Sequence, residues 1–403
     1  MDETLKTRIE DLEYQISQLN NMRDDFYRFK LSGGLAYLTG ETVDSLKPAA
    51  KSATVGATSG TNLKDESAAV LYDIDIKNKF GGTGADGALA ISSGTTTIDA
   101  AGASVVTKNY TSISITGTGK LTISNPHAKG TILILKSQGA VTITSSTNPA
   151  IDMKGMGADV ATTGWGIVIV PTKGVAGVAA SAGVDGGGGT AGAGNSSVNT
   201  DIALAVKNIP LFTGAGGAAG GQGNQSGGSA ASVGAGARGG GAFYIECKGA
   251  LNFTSTVSVA GNAGGNAGAG TGTWAGSGGG AGGGGGSGII LYNTLTANTG
   301  TITISGGAGG VASVSPNVTN FTGSVDGAGG GGGGGGGYYD GGNGGYGEAD
   351  DLDAGGAGGA GVDGSGTGGG TGGAANSSAG MDGGGGGGGG AGLAIVGSNT
   401  FFT

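Results

Sequence analysis

Glycine fills 102 of the 403 positions, and past about residue 180 it comes in unbroken runs such as Gly282–Gly286, Gly329–Gly337 and Gly383–Gly390. A run of this kind has no side chain to bury and no catalytic group to offer. It also loses more conformational freedom on ordering than any other sequence. Two structures remain open to it. Either it is slack linker, or it is packed so tightly that only hydrogen fits at Cα. An isolated run favours the extended polyproline-II form, which rises about 3.1 Å per residue and has no internal hydrogen bonds. Its backbone groups must then be satisfied sideways by neighbouring segments, with Cα–H···O contacts helping. The nine residues Gly329–Gly337 would span roughly 28 Å, comparable to the thickness of a domain. The runs recur between apolar strands that need a common core, and that favours the packed arrangement.

The rest of the composition limits the chemistry. Aromatic residues are 5% and charged residues 12%, too few for a conventional globular enzyme, while low charge argues against ordinary disorder. The formal charge of −9 is unevenly spread. After Lys248 there is no lysine or arginine, whereas Asp326, Asp340, Glu348, Asp350, Asp351, Asp353, Asp363 and Asp382 follow. That half cannot neutralise phosphates, so neither nucleic acid nor an anionic membrane surface is expected as a partner. One cysteine, Cys247, and one histidine, His127, exclude a disulfide framework within the chain and Cys- or His-cluster metal sites. No long apolar stretch predicts membrane insertion. The start, Met-Asp-Glu-Thr-Leu-Lys-Thr-Arg, lacks the form of a secretory signal. No cofactor is expected.

Four regions follow from the patterning. In residues 1–32, Leu5, Ile9, Leu12, Ile16, Leu19 and Phe26 alternate steps of four and three, which predicts a coiled-coil oligomerisation or attachment helix. Arg23 takes the intervening core slot, and Arg8 and Glu13 can pair between parallel chains. Residues 33–83 read as a connector with one short strand, Val70–Ile76. Residues 84–180 form a Thr-rich β domain, whose clearest strands are Ile113–Ile115, Leu121–Ile123, Ile132–Leu135, Val141–Ile143 and Ile167–Val170. Residues 181–403 form a glycine-rich polyglycine-II and β domain. A repeat, Gly-x-[Val/Leu/Ile]-[Thr/Asn]-[Ile/Phe]-[Thr/Ser], occurs at Gly119–Ser124, Gly139–Thr144, Gly249–Thr254 and Gly300–Ser305. The last three copies closely follow the apolar stretches Ile132–Leu135, Phe243–Cys247 and Ile289–Tyr292, and a final one, Leu393–Val396, follows the last glycine run. Because the repeat crosses the boundary near residue 180, residues 84–403 read as one continuous body. The expected fold class is therefore mostly β with polyglycine-II helices, an N-terminal α-helical coiled coil preceding a repeating strand and Gly-rich fibre body.

This combination resembles the glycine-rich tail-fibre and adhesin proteins of tailed bacteriophages, of the polyglycine-II sandwich type. The likeness is carried by the glycine runs and by Asp86-Gly87-Ala88-Leu89, Ser92-Ser93-Gly94-Thr95-Thr96-Thr97-Ile98-Asp99 and Lys108-Asn109-Tyr110-Thr111-Ser112-Ile113-Ser114-Ile115. It covers roughly residues 84–403. The resemblance implies a non-enzymatic virion fibre or tip adhesin for host attachment, with receptor-contacting loops between glycine helices and the other end joined to virion proteins. It also implies a homotrimer, where the heptads alone nominally favour a dimer. Its partners would be itself, other virion proteins through the N-terminus, and a host surface protein or glycan. Its location would be the virion, released by lysis. The alternative is a cellular extracellular filament or surface-layer protein built from the same strand repeats. An ice-binding polyproline-II protein would need regular Gly-x-x triplets and usually disulfides, which this chain lacks.

The large aromatics set in glycine sequence, Trp274, Tyr338, Tyr339 and Tyr346, are the receptor-contact candidates. The same four side chains could instead cap the open ends of the glycine layers. Glu348, Asp350, Asp351 and Asp353 could gather oxygen ligands for calcium but lack EF-hand spacing, so a solvated acidic loop accounts for them better. His127 in an Asn-Pro-His-Ala turn offers no nucleophile–base pair, and the acidic segment lacks the walled aromatic cleft of sugar hydrolases.

Overall fold

The computed structural model describes residues 80–167, 169–179, 189–190, 210–223, 232–268, 277–313, 330–345, 357, 370–371, 373 and 384–399. The chain divides into two compact units, Met1–Lys79 and Phe80–Thr403, and only the second contains described residues.

Short, Thr-, Ile- and Val-rich stretches interrupted by glycine cannot sustain helices, but they suit a half-buried pleated surface. The strands are β1 (Ala88–Ile91), β2 (Thr95–Asp99), β3 (Val105–Tyr110), β4 (Ser112–Ile115), β5 (Lys120–Ser124), β6 (Lys129–Gly130), β7 (Ile132–Ser137), β8 (Val141–Ile143) and β9 (Ile151–Asp152). They continue with β10 (Gly157–Ala158), β11 (Gly166–Ile167), β12 (Leu211–Phe212), β13 (Ala242–Phe253), β14 (Thr256–Ser258), β15 (Ser287–Asn298), β16 (Thr301–Thr303) and β17 (Leu393–Ser398). Apart from the antiparallel pairs β6–β10 and β11–β12, every pairing is parallel.

The parallel registers define a coil with three faces. One face stacks β1, β4, β8, the second half of β13 and the second half of β15. The second stacks β2, β5, β9, β14 and β16. The third stacks β3, β7, the first half of β13, the first half of β15 and β17. Each turn of the chain lays one strand on each face, and the described residues make five such rungs. The register shift in β13 between Cys247 and Ala250 marks the corner where the third face passes into the first.

Alternation within each strand sends one residue inward and the next outward. Residues in register on successive rungs then form ladders, buried in the middle rungs and open at the end rungs, where Thr96 and Leu295 are exposed. Leu89, Ile113, Val141, Leu251 and Leu295 are register partners on the first face. Thr96, Leu121, Ile151, Val257 and Ile302 are partners on the second. Leu121, Ile113, Val141 and Ile151 are all buried in one core inside the coil. The third face is covered on both sides, which explains the unbroken burial of Ala242–Cys247 where alternation would expose every second residue. Its outer residues Ile132, Tyr244, Ile289 and Leu291 pack with Phe80 and Leu211 in a second cluster.

The fold class expected from sequence is therefore corrected. The described residues contain no α-helix and are built chiefly on parallel sheets, in place of a coiled coil followed by strands. The physical reason is that each segment leaves one rung and returns to the start of the next, which enforces parallel pairing over long sequence separations. The heptad positions Leu5, Ile9, Leu12, Ile16, Leu19 and Phe26, and the expected strand Val70–Ile76, lie outside the described residues. At Ile167–Val170 the observed strand is only Gly166–Ile167.

Candidate functional site

From the third rung onward, the corner between the second and third faces opens into long excursions: 153–241, 259–286 and 304–392. The second and third leave as glycine-rich segments, and all three come back as one. The returning segments 232–241, 277–286 and 384–392 lead straight into β13, β15 and β17.

Segment 277–286 lies at the centre, and its hydrogen bonds repeat every third residue. Gly278, Ala281 and Gly284 donate to the carbonyls of Gly221, Ala218 and Ala215. Gly279, Gly282 and Gly285 donate to Gly384, Gly387 and Gly390. Gly280, Gly283 and Gly286 donate to Gly265, Asn262 and Val259. Three further segments donate back: Gly234, Ala237 and Gly240 to the carbonyls of Gly278, Ala281 and Gly284; Gly332 and Gly335 to Gly279 and Gly282; Gly310 and Gly307 to Gly280 and Gly283. The centre thus has six hydrogen-bonded neighbours. The neighbours also bond around the ring, for example Gly217 to Ala237, Asn262 to Arg238, Gly264 to Ala308, Gly389 to Gly307, Gly390 to Gly335 and Ala218 to Gly333. The result is a hexagonal lattice of threefold segments, some parallel and some antiparallel.

Glycine is required here by space rather than by handedness. A Cβ on Gly282, Gly283 or Gly284 would be driven into the backbone carbonyl of Gly307, Arg238 or Gly336. Methyl groups are accepted only at selected points, such as the fully buried Ala215, Ala218, Ala281 and Ala391. The ends of the central segment are closed by serines. At the end near the coil, Ser287 Oγ accepts from Phe212 N–H at 2.8 Å and reaches the Phe212 carbonyl at 3.1 Å. At the far end, Ser277 Oγ accepts from Gly223 N–H at 3.2 Å, and Ser313 Oγ accepts from Ser277 N–H at 2.7 Å.

That far end is the candidate recognition site. Gly223, Ser277 and Ser313 are joined there by the serine bonds, and in the adjoining segments Gly268 N–H donates to the Ser232 carbonyl and Ala267 N–H to that of Val311. The stretches that connect them along the chain, 224–231, 269–276 and 314–329, lie outside the described residues. Trp274 is within the second of these. Tyr346, Glu348, Asp350, Asp351 and Asp353 are also outside the described residues.

Tyr338 and Tyr339 sit at the opposite end. Segment 330–337 runs parallel to 277–286 toward the coil, and Tyr338 N–H donates to the Ala391 carbonyl, two residues before β17. The Tyr338 ring stacks on Phe212 with centroids 6.2 Å apart, and Tyr339 meets it edge-on at 5.0 Å. These half-buried rings close the base of the lattice. The structure thus separates Tyr338 and Tyr339 from the far end, where Gly268 and Ser277 lie.

The serine closures were absent from the sequence reading. Their signal was present, since Ser277 and Ser287 bracket the glycine-rich return segment between them at both ends. Among the described residues, no three His, Cys, Asp or Glu side chains gather as a metal site, and no helix is long and apolar enough to cross a membrane. His127 Nδ1 accepts a hydrogen bond from the Lys129 N–H in a local turn. Burial raises the pKa of the Cys247 thiol above its ordinary value, with hydrogen bonds to the Val141 and Gly249 backbone opposing the shift. No family model, curated protein or solved structure matches the chain.

Proposed function

We propose that this chain is a non-enzymatic fibre or tip adhesin of a virion, and that it attaches the particle to a host surface protein or glycan. The observation that carries this reading is that the bonded trio Gly223, Ser277 and Ser313 and the bonded pair Ser232 and Gly268 all fall at one end of a backbone-bonded lattice. Such a lattice holds the ends of several connecting segments at fixed spacing, so the segments can differ in sequence without disturbing the support. Recognition on loops carried by a rigid scaffold is a general solution to binding. Trp274, which falls between Gly268 and Ser277 in the sequence, is the leading contact residue.

The test is competition. Purified full-length protein should bind the host cell and block adsorption of the particle, and Trp274→Ala should weaken both while leaving the melting temperature unchanged. Absence of any cell binding by the correctly folded protein would sink the proposal. Self-association between cells or into filaments, without particle competition, would point instead to a cellular surface filament.

A further inference from the structure

The residues that lead into the coil do not simply start its first rung. Phe80–Gly87 crosses the corner between the third and first faces at right angles to the strands and touches three rungs in succession. Phe80 is buried in the outer cluster with Ile132, Leu211 and Tyr244. Gly81 N–H donates to Glu246 Oε2 at 2.9 Å, on the third rung, and Glu246 Oε1 pairs with Lys136 of the second rung at 3.2 Å. Gln138, also on the second rung, donates from Nε2 to the Gly82 carbonyl at 3.3 Å. Asp86 then closes on the first rung, where its Oδ2 accepts from Asn109 N–H at 2.6 Å and its N–H donates to the Asn109 carbonyl.

The path is tight as well as bonded. Gly81, Gly82 and Gly84 have φ of 87°, 71° and 73°, in the left-handed region. A Cβ at Gly81 would come within 2.6 Å of Lys248 Cβ, and one at Gly82 within 2.8 Å of Lys136 Cβ. Glu246 is the buried carboxylate of this region, at 6% exposure, and it serves the strap and the second rung together.

We propose that Phe80–Asp86 is a mechanical clasp that spreads force arriving at Phe80 over three rungs. A parallel coil pulled from one end of its first rung would lose strands one after another, because each strand is opened in turn. Tension entering at Phe80 meets the third rung first. It must break the buried Glu246 and Phe80 contacts before it reaches β1. This role is independent of what the far end of the lattice binds.

The experiment is single-molecule pulling of the full chain in a Cys247→Ser background. One handle is at the exposed Lys154→Cys beside β9, so that load does not enter through the terminal strand β17, and the other is at Lys79→Cys or, for comparison, at the exposed Ala103→Cys between β2 and β3. From residue 79 the body should rupture in one cooperative event at a higher force than the stepwise opening seen from residue 103. Glu246→Ala and, separately, Phe80→Ala should close the gap between the two attachment points while leaving the force from residue 103 unchanged. Equal or lower force from residue 79 in the unsubstituted chain overturns the proposal. A gap that neither substitution narrows overturns the assignment to this strap.

Discussion

The coil and the lattice are made by one continuous chain and are held together in opposite ways. In the coil, backbone hydrogen bonds run between neighbouring strands and side chains fill the interior. In the lattice, backbone bonds run to all sides and side chains are excluded. Specificity in the coil therefore lies in the shape of aliphatic ladders such as Leu121–Ile151–Val257. Specificity in the lattice lies in which third of the peptide groups faces which neighbour. The difference shows that a buried region can be uniquely arranged with almost no side chains, provided every amide finds a partner.

That contrast can be broken most severely by single carbons. Gly283→Ala drives a methyl into the Arg238 carbonyl and should cost about 3 kcal/mol. Leu121→Ala in the coil removes three carbons from a fully buried site and should cost a similar amount, about 3 kcal/mol. Adding one carbon in the lattice would then equal removing three from the coil, as read by chemical denaturation. A Gly94→Ala control, at a turn where φ is 69° and nothing lies near, should lose only about 1 kcal/mol. Equal losses at Gly94 and Gly283 would mean that crowding does not distinguish the two regions.

Next in size is the junction between the regions. Tyr338→Ala removes the ring stacked on Phe212 and should cost about 2 kcal/mol while leaving host adsorption unchanged. Ser287→Ala strips the partner from Phe212 N–H and should cost about 1 kcal/mol. Amide exchange sharpens the same boundary. All the amides of Gly330–Gly337 donate, to Val178, Gly345, Gly279, Val175, Gly342, Gly282, Thr172 and Tyr339 in turn. They should be protected as strongly as those of β7, and fast exchange there would reject the lattice.

The smallest effects are in the pH response of the coil. The Ala101 N–H, helped by Asn125 and Ser124, lowers the Asp99 pKa. Its contribution is present above the ordinary carboxylate range near about pH 4 and is lost as pH falls through the depressed folded value. Burial, then the Asp86 charge, raises the Tyr110 pKa. Its contribution is present below about pH 10 and is lost as pH rises through the raised folded value. Melting curves across pH should show a shallower acid limb for Asp99→Asn and a shallower alkaline limb for Tyr110→Phe.

Much of the coil was legible because alternation is a local signal. Leu121–Ile123, Ile132–Leu135 and Val141–Ile143 fall within β5, β7 and β8. The coiling was not legible, since partners such as Val141 and Leu251 are separated by an entire glycine excursion. The four copies of the repeat also fall on two different faces: Gly139–Thr144 and Gly249–Thr254 on the first, Gly119–Ser124 and Gly300–Ser305 on the second. Short-range similarity therefore did not map to equivalent positions. The buried face-three residues Tyr244 and Glu246 also defeat alternation, because Phe80 and its strap cover the outside of the sheet. Tyr338 and Tyr339 were legible as aromatics out of place in glycine, but not which end of the lattice they close.

The three-residue repeat of the lattice bonds has a genetic consequence. One residue gained or lost inside 277–286 would turn every later peptide group by roughly 120° and offer each donor to the wrong neighbour. Length variation within the glycine runs of related genes should therefore come in whole triplets of codons. A single-residue insertion in one of these runs would therefore be a stronger lesion than a whole triplet inserted at the same point.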